Sequence, residues 1–188
     1  MKRIIIILLL ILNRNGYARA KFLKKKKYFH SQGENCFFST HLFGTEPKHI
    51  SFGDNVWLAT RVSFITHDVS VLMIQNYLND DSLMFDYVGY VKIGNNVFIG
   101  ADSIILPNVV IADNVVIGAG SIVSKSIKES GVYVGNPLRK VKTFSDYCSD
   151  LVEKHTNYPW SFELRDRRKN KKVLNKLREQ YVRTELDD

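Results

Sequence analysis

The chain has 188 residues, 45% hydrophobic and 24% charged, which suits one folded domain and excludes an intrinsically disordered one. Its net charge of +8 is uneven: residues 1–30 hold nine Lys/Arg and no acid, residues 31–137 five basic against ten acidic, residues 138–188 thirteen against nine. Such basic flanks attract anionic cofactors or acidic lipid, but none is joined to a nucleic-acid motif, so nucleic acid is excluded as a partner.

In chain order, residues 1–30 form a basic segment expected to be helical. Ile4 to Leu12 is a nine-residue apolar run, well short of the roughly 20 residues needed to span a bilayer. Ala18-Arg19-Ala20 imitates a signal-peptide cleavage site, yet Arg14 and Arg19 put charge where such sites avoid it. A retained helix against the domain, a partner subunit or the inner membrane face is therefore expected. The Lys24 to Lys27 run suits acidic lipid as well as solvent. Cys36 and Cys148 have no metal-like or redox spacing, which fits a cytoplasmic location, peripheral to the membrane if the basic end docks there.

From Gln32 a loose six-residue repeat begins, "QGENCF" and "FSTHLF", sharpening into "FGDNVW", "LATRVS" and "FITHDV" from Phe52. Residues 70–88 break the pattern and are expected to leave the coil as a protruding loop that shapes a site. The repeat resumes as "IGNNVF", "IGADSI", "ILPNVV", "IADNVV", "IGAGSI" and "VSKSIK". Ile93, Ile99, Ile105, Ile111, Ile117 and Val123 take the first place; small or β-branched residues take the fifth. A strict sixfold spacing excludes a helix of period 3.6. Each unit predicts a short strand and a sharp corner of Asn, Asp or Gly, stacked so that the aliphatic places form one column. The domain is expected to span residues 31–142.

His67 occupies the fourth place of its unit, where Asn55, Arg61, Asn96, Asp102, Asn108, Asn114 and Gly120 stand elsewhere. It is therefore expected at an outward corner, at the base of the 70–88 excursion, where an imidazole can exchange protons near neutral pH. Residues 143–188 leave the pattern as a helical extension. There Val173, Leu174, Leu177 and Tyr181 approximate helical spacing, and covering the open coil end is the expected role.

Together the hexads, "THD" before the excursion, "IGAGSIVSK" and "GNPLRKVK" resemble the bacterial hexapeptide-repeat acyltransferases over roughly residues 32–142. The branch is that of the galactoside, maltose, nodulation-factor and capsular-polysaccharide O-acetyltransferases. The resemblance implies an all-β core built as a left-handed parallel β-helix, homotrimeric, with acetyl-CoA bound at sites between subunits. It implies His67 as general base, taking the proton from a sugar hydroxyl, with a backbone N–H near Ala101 for the oxyanion and Asp68 or a carbonyl holding the ring. "FIGA" puts Ala101 beside the thioester and pantetheine arm. "IGAGSIVSK" puts Ala119, Ser124 and Lys125 along the arm and its phosphates; "GNPLRKVK" puts Arg139 and Lys142 at the nucleotide phosphates. Phe98 stands where many relatives carry Trp, and Ser124 where Thr is usual. Ser39, Thr40 and His41 receive no role.

The expected acceptor is a carbohydrate hydroxyl in surface-polysaccharide biosynthesis; the alternatives are an amine of a nucleotide sugar and a small hydroxylated molecule. A zinc hydratase on the same architecture would need three histidines. His49 and His67 lie one 18-residue coil apart, but no histidine falls between His67 and His155, so no metal is expected. A non-catalytic scaffold would neither bind acetyl-CoA nor depend on His67.

Overall fold

The computed structural model describes residue 10 and residues 15–80, 82, 86–166 and 171–187, which form two units, residues 1–144 and 145–188. The apolar run from Ile4 lies, apart from Leu10, outside the described residues. In the first unit α1 (Gly16–Lys25) is followed by β1 (Ser31–Gln32), β2 (Phe37–Phe38), β3 (Ile50–Phe52), β4 (Val56–Leu58), β5 (Ser63–Phe64) and β6 (His67–Asp68). Then come α2 (Ser70–Leu78), β7 (Tyr87–Val88), β8 (Val91–Ile93), β9 (Val97–Ile99) and β10 (Ile104–Ile105). The coil closes with β11 (Val109–Ile111), β12 (Val115–Ile117), β13 (Ile122–Val123), β14 (Gly131–Val134) and β15 (Arg139–Lys142).

These strands make a left-handed β-helix with three faces. The first is β1-β3-β8-β11, the second β2-β4-β9-β12-β14-β15, the third β5-β10-β13. Every pairing within the faces is parallel except that of β14 with β15. The predicted column is present: all six first-place aliphatics from Ile93 to Val123 are buried, as are the fifth-place Val97, Ser103, Val109, Val115, Ser121 and Ile127. Fully burying each aliphatic contributes about 1.5–3 kcal/mol, so the repeat is held mainly by this column. Fourth-place residues make the corners. Asn55, Arg61, Asn96, Asp102, Asn108 and Asn114 have φ between 54° and 61°, and Gly120 has φ 70°. The corner side chains also link successive coils: Asn55 Nδ2 donates to Asn96 Oδ1 (3.0 Å), and Asn96 Nδ2 to Asn114 Oδ1 (2.9 Å).

The upstream coils are wider. Ser31 pairs with Ser51, Phe37 with Trp57 and Leu42 with Ser63, offsets of 20 to 21 rather than the 18 between Val91 and Val109. Their core is aromatic: Phe29 packs edge-on against Phe43 and Phe52, each at 4.8 Å between ring centroids, and Phe43 stacks on Phe64. Extra residues in each turn need larger side chains to fill the enlarged section, which is why the sixfold pattern is loose there. The open end is covered by α1. Asn15 caps it by accepting from the Tyr17 and Ala18 N–H groups, and Ala20 and Leu23 enter the core. Arg19 is 7% exposed and donates to the carbonyls of Leu10, Phe38 and Ser39, tying the helix to the first coil.

The second unit carries α3 (Phe144–Asn157, from Ser145 onward within this unit) and α4 (Lys171–Asp187), with Leu174 of α4 buried as its spacing predicts. Tyr158 and Trp160 stack at 4.7 Å, and both meet Tyr181 edge-on. Among the described residues no helix is long and apolar enough to cross a membrane, and both cysteines are free.

Candidate active site

The 70–88 excursion leaves the coil as expected and carries regular structure of its own. It leaves as β6 and returns as β7, an antiparallel pair with His67 opposite Val88 and Asp68 opposite Tyr87, and it carries α2 between them. The Gly89 N–H closes the ribbon onto the Thr66 carbonyl (2.8 Å). This alters His67. The expected left-handed corner is absent, because the sixfold phase ends one step earlier: Thr66 turns inward, 1% exposed, and His67 continues as extended strand out of the coil. The outcome still matches the expectation in one respect: the imidazole stands on the rim at the base of the excursion, 31% exposed.

Two carboxylates flank the ring. Glu46 Oε1 lies 3.5 Å from Nδ1, and Asp86 Oδ1 lies 3.1 Å from Nε2. Glu46 is anchored: Thr66 Oγ1 donates to its Oε2 (2.9 Å), Thr45 Oγ1 donates to the same oxygen, and the Glu46 N–H donates to Thr66 Oγ1. Partial burial alone would push its carboxyl up. The hydrogen bonds from Thr45 and Thr66 and the nearby His67 and His49 outweigh that and hold it below the ordinary glutamate range. The turn that delivers Glu46 passes through Gly44, at φ 69°, where an added Cβ would sit 2.7 Å from the Phe64 carbonyl oxygen. Only glycine satisfies both conditions without strain.

Asp68 does not reach back to the ring. Its Oδ1 accepts from the Ser70 N–H (2.9 Å) at the start of α2, and that backbone bond, first among its partners, keeps its carboxyl low. Glu46 is the residue that sequence spacing misses. The Leu42–Ser63 bridge sets an offset of 21 in this coil, so residue 46, not His49, stands opposite residue 67. Counting hexads at 18 per turn cannot find it. Among the described residues no cluster of three His, Cys, Asp or Glu side chains is placed to hold a metal ion.

Beside the ring an open cleft of about 450 Å³ runs along His41, Phe43, Gly44, Thr45, Ser63 and Thr66. Thr40 is structural, donating from Oγ1 to the Val62 carbonyl (2.7 Å), whereas its neighbour His41 lines the cleft.

The remaining candidates fall on two other parts of the prism. Ala101 and Ala119 lie on successive turns of the edge between the second and third faces, and the Gly120 N–H donates to the Ala101 carbonyl (2.8 Å). The coils touch closely here: a Cβ on Gly100 would be 2.4 Å from the Ala119 nitrogen, so the edge keeps small side chains and exposes backbone. The amides around Ala101 are committed, Gly100 N–H to the Ile117 carbonyl and Asp102 N–H to the Thr60 carbonyl. Ser124, Lys125 and Arg139 come together in a groove of about 400 Å³ at the last turn, joined by Lys128 and Lys140, two cations not anticipated from sequence. Lys140 Nζ is engaged by Glu129 Oε2 at 3.0 Å. Lys142 sits at the far end of β15, opposite Val132 and away from the residues that line this groove. Small side chains with exposed backbone on one edge and a cluster of cations on the other suit a long ligand with anionic phosphates.

His67 and the Ser124–Lys125 pair follow the third face, whereas Ala101 and Ala119 precede it. At about 3.3 Å per residue, the five steps from Ala119 to Ser124 across the third face separate the two edges of one chain by roughly 16 Å.

The six-repeat bacterial transferase hexapeptide family matches residues 90–125. Protein CapG of Staphylococcus aureus is 37% identical over 150 residues, 78% of this chain and 83% of the relative. Galactoside O-acetyltransferase of Escherichia coli K12 is 36% identical over 114 residues, covering 61% of this chain and 54% of the relative. A hexapeptide-repeat acetyltransferase of Vibrio cholerae, solved with acetyl coenzyme A, superposes with TM-score 0.55 at 17% identity over 76% of this chain and 85% of its own, a likeness of fold.

Proposed function

Since this chain belongs to the bacterial hexapeptide-repeat acetyltransferases, which draw on acetyl-CoA, we propose that it acetylates a sugar hydroxyl with His67 as the general base. The observation that carries this reading is the ring itself: raised on the rim beside a cleft, backed at Nδ1 by an anchored carboxylate, and met at Nε2 only by the exposed Asp86.

In the proposed reaction Glu46 holds the Nδ1–H of His67, which directs the Nε2 lone pair at the acceptor. The hydroxyl oxygen forms a bond to the thioester carbonyl carbon while its proton passes to Nε2. The carbon–sulfur bond then breaks, and the departing sulfur takes that proton from Nε2. The Ala101 N–H, between two committed amides, is the donor for the transient oxyanion. Ala101 and Ala119 let the pantetheine arm lie against backbone, and Ser124, Lys125 and Arg139 meet its phosphates, with Lys142 further along the same strand.

One chain cannot bring its own small-residue edge to its own imidazole across the third face. The site is therefore shared: the His67 edge of one copy faces the Ala101 edge of the next, and three copies close the ring. The similarity to a galactoside O-acetyltransferase supports a carbohydrate acceptor, and the proposed setting is surface-polysaccharide assembly in the cytoplasm, where acetyl-CoA is supplied. The basic α1 segment and its end, with Lys21, Lys25 and Lys26 exposed, offer a peripheral contact to acidic lipid.

The test is thiol release from acetyl-CoA with a panel of methyl glycosides and nucleotide sugars, for wild type and His67→Ala. Release that depends on a glycoside and on His67 supports the proposal. Equal rates for the two proteins remove His67 from the mechanism, and release only with nucleotide sugars that carry a free amine favours N-acetylation.

A further inference from the structure

Asp86 is the second carboxylate on the imidazole, and its position differs from that of Glu46 in every respect that matters. Glu46 is 29% exposed and fixed by two threonines; Asp86 is 73% exposed and rides at the foot of the excursion, next to the two paired residues of β7. Among the described residues its only ion-pair partner is His67. It touches Nε2, the nitrogen that must receive the acceptor's proton.

A neutral imidazole has one N–H, and Glu46 is the partner of Nδ1. At Nε2, then, either a proton lies between nitrogen and carboxylate, or a lone pair faces a carboxylate oxygen. Neither arrangement leaves Nε2 able to take a proton from a hydroxyl. Asp86 must yield this nitrogen when the acceptor arrives. An exposed side chain on a ribbon paired at only two positions can do so by rotating, without moving the coil that holds Glu46. After rotating it remains beside the entering sugar. A carboxylate can only accept hydrogen bonds, so it will take one from a second hydroxyl next to the one being acetylated.

Resting on the O-acetylation reading above, we propose that Asp86 reads the acceptor: it occupies Nε2 in the empty site and, once displaced, accepts a hydrogen bond from a neighbouring hydroxyl. The site then selects acceptors with adjacent hydroxyls over simple alcohols, and disfavours acceptors carrying a carboxylate at the neighbouring carbon. Among the described residues the other charged group against the ring is Glu46 from the preceding coil; Asp68, next to His67 on β6, is turned to the Ser70 N–H.

The occupancy half is tested without acceptor. Carbethoxylation of the full-length protein by diethyl pyrocarbonate, read by peptide mass spectrometry, uses the other four histidines as internal controls. Asp86→Ala is expected to speed His67 modification several-fold; an unchanged rate overturns the proposal. For the reading half, the methyl glycoside from the panel that is acetylated fastest is compared with its mono-deoxy analogues. Wild type is expected to lose about tenfold in kcat/KM with the deoxy sugar that lacks the neighbouring hydroxyl, the cost of one hydrogen bond to a charged group. Asp86→Ala, which removes the hydrogen-bond acceptor, is expected to raise KM for the full glycoside with kcat little altered, and to discriminate against that deoxy sugar no longer. A variant that still discriminates as wild type does overturns the proposal alone. Absence of thiol release by wild type with every glycoside overturns the O-acetylation reading and this inference with it.

Discussion

The two halves of the spiral, residues 31–69 and 91–134, share one geometry and differ in regularity. Downstream, each turn takes 18 residues, the column is Ile and Val, and the corners are Asn, Asp or Gly with φ near 55–70°. Upstream, turns take 20 to 21 residues, phenylalanines join Ile50, Val56, Leu58 and Val62 in the column, and the phase ends at Thr66. The regular half carries Ala101, Ala119, Ser124 and Lys125, with Arg139 and Lys142 on the strand that follows it, and the irregular half carries His67, Glu46 and the cleft. A ligand common to a whole family can be held by repeated backbone and small side chains. A particular acceptor needs side chains converging on one point, and inserted residues are what bring them out of the repeat.

Substitutions in each half can break this division. His67→Ala should have the largest effect, a loss of about 10²- to 10⁴-fold in turnover, the usual worth of a general base; steady-state thiol release with saturating acetyl-CoA checks it. Next come the columns. Phe43→Ala should cost about 3–5 kcal/mol of stability and Ile111→Ala about 2–5 kcal/mol, measured by denaturant unfolding. Only Phe43→Ala should also raise acceptor KM at temperatures where both variants are folded, because Phe43 lines the cleft. Third, Lys125→Ala and Arg139→Ala should each raise KM for acetyl-CoA by about tenfold and leave acceptor KM unchanged. An acceptor effect as large as the acetyl-CoA effect would end the division of labour.

The smallest effect is the pH dependence of Glu46. Its folded carboxyl is held below its unfolded value. The stabilisation is therefore complete above the unfolded value and is lost as pH falls through the folded one. Glu46→Gln should be less stable than wild type at neutral pH, and the gap should close as pH drops through the carboxylate range. Unfolding curves at stepped pH measure it; a gap that widens in acid would show that Glu46 is not held as described.

How much was legible depends on the residue. Ile93 to Val123, the Asn corners and the "FIGA" edge could be read because each is fixed by local geometry repeated at constant spacing. His67 could be located but not posed: its fourth-place position implied a corner, and the ribbon made it a strand. Asp68, adjacent in sequence, proved to cap α2, while Glu46 and Asp86, each about 20 positions away, proved to flank the ring.

From its residues alone the chain determined a coil of hexads, an aliphatic column and an edge of small residues, because hydrophobic period and turn chemistry act over six residues at a time. Which carboxylates meet the imidazole was decided by the tertiary structure. That choice depends on how many residues each turn consumes and on how the excursion pairs when it returns, and neither is encoded in a local spacing.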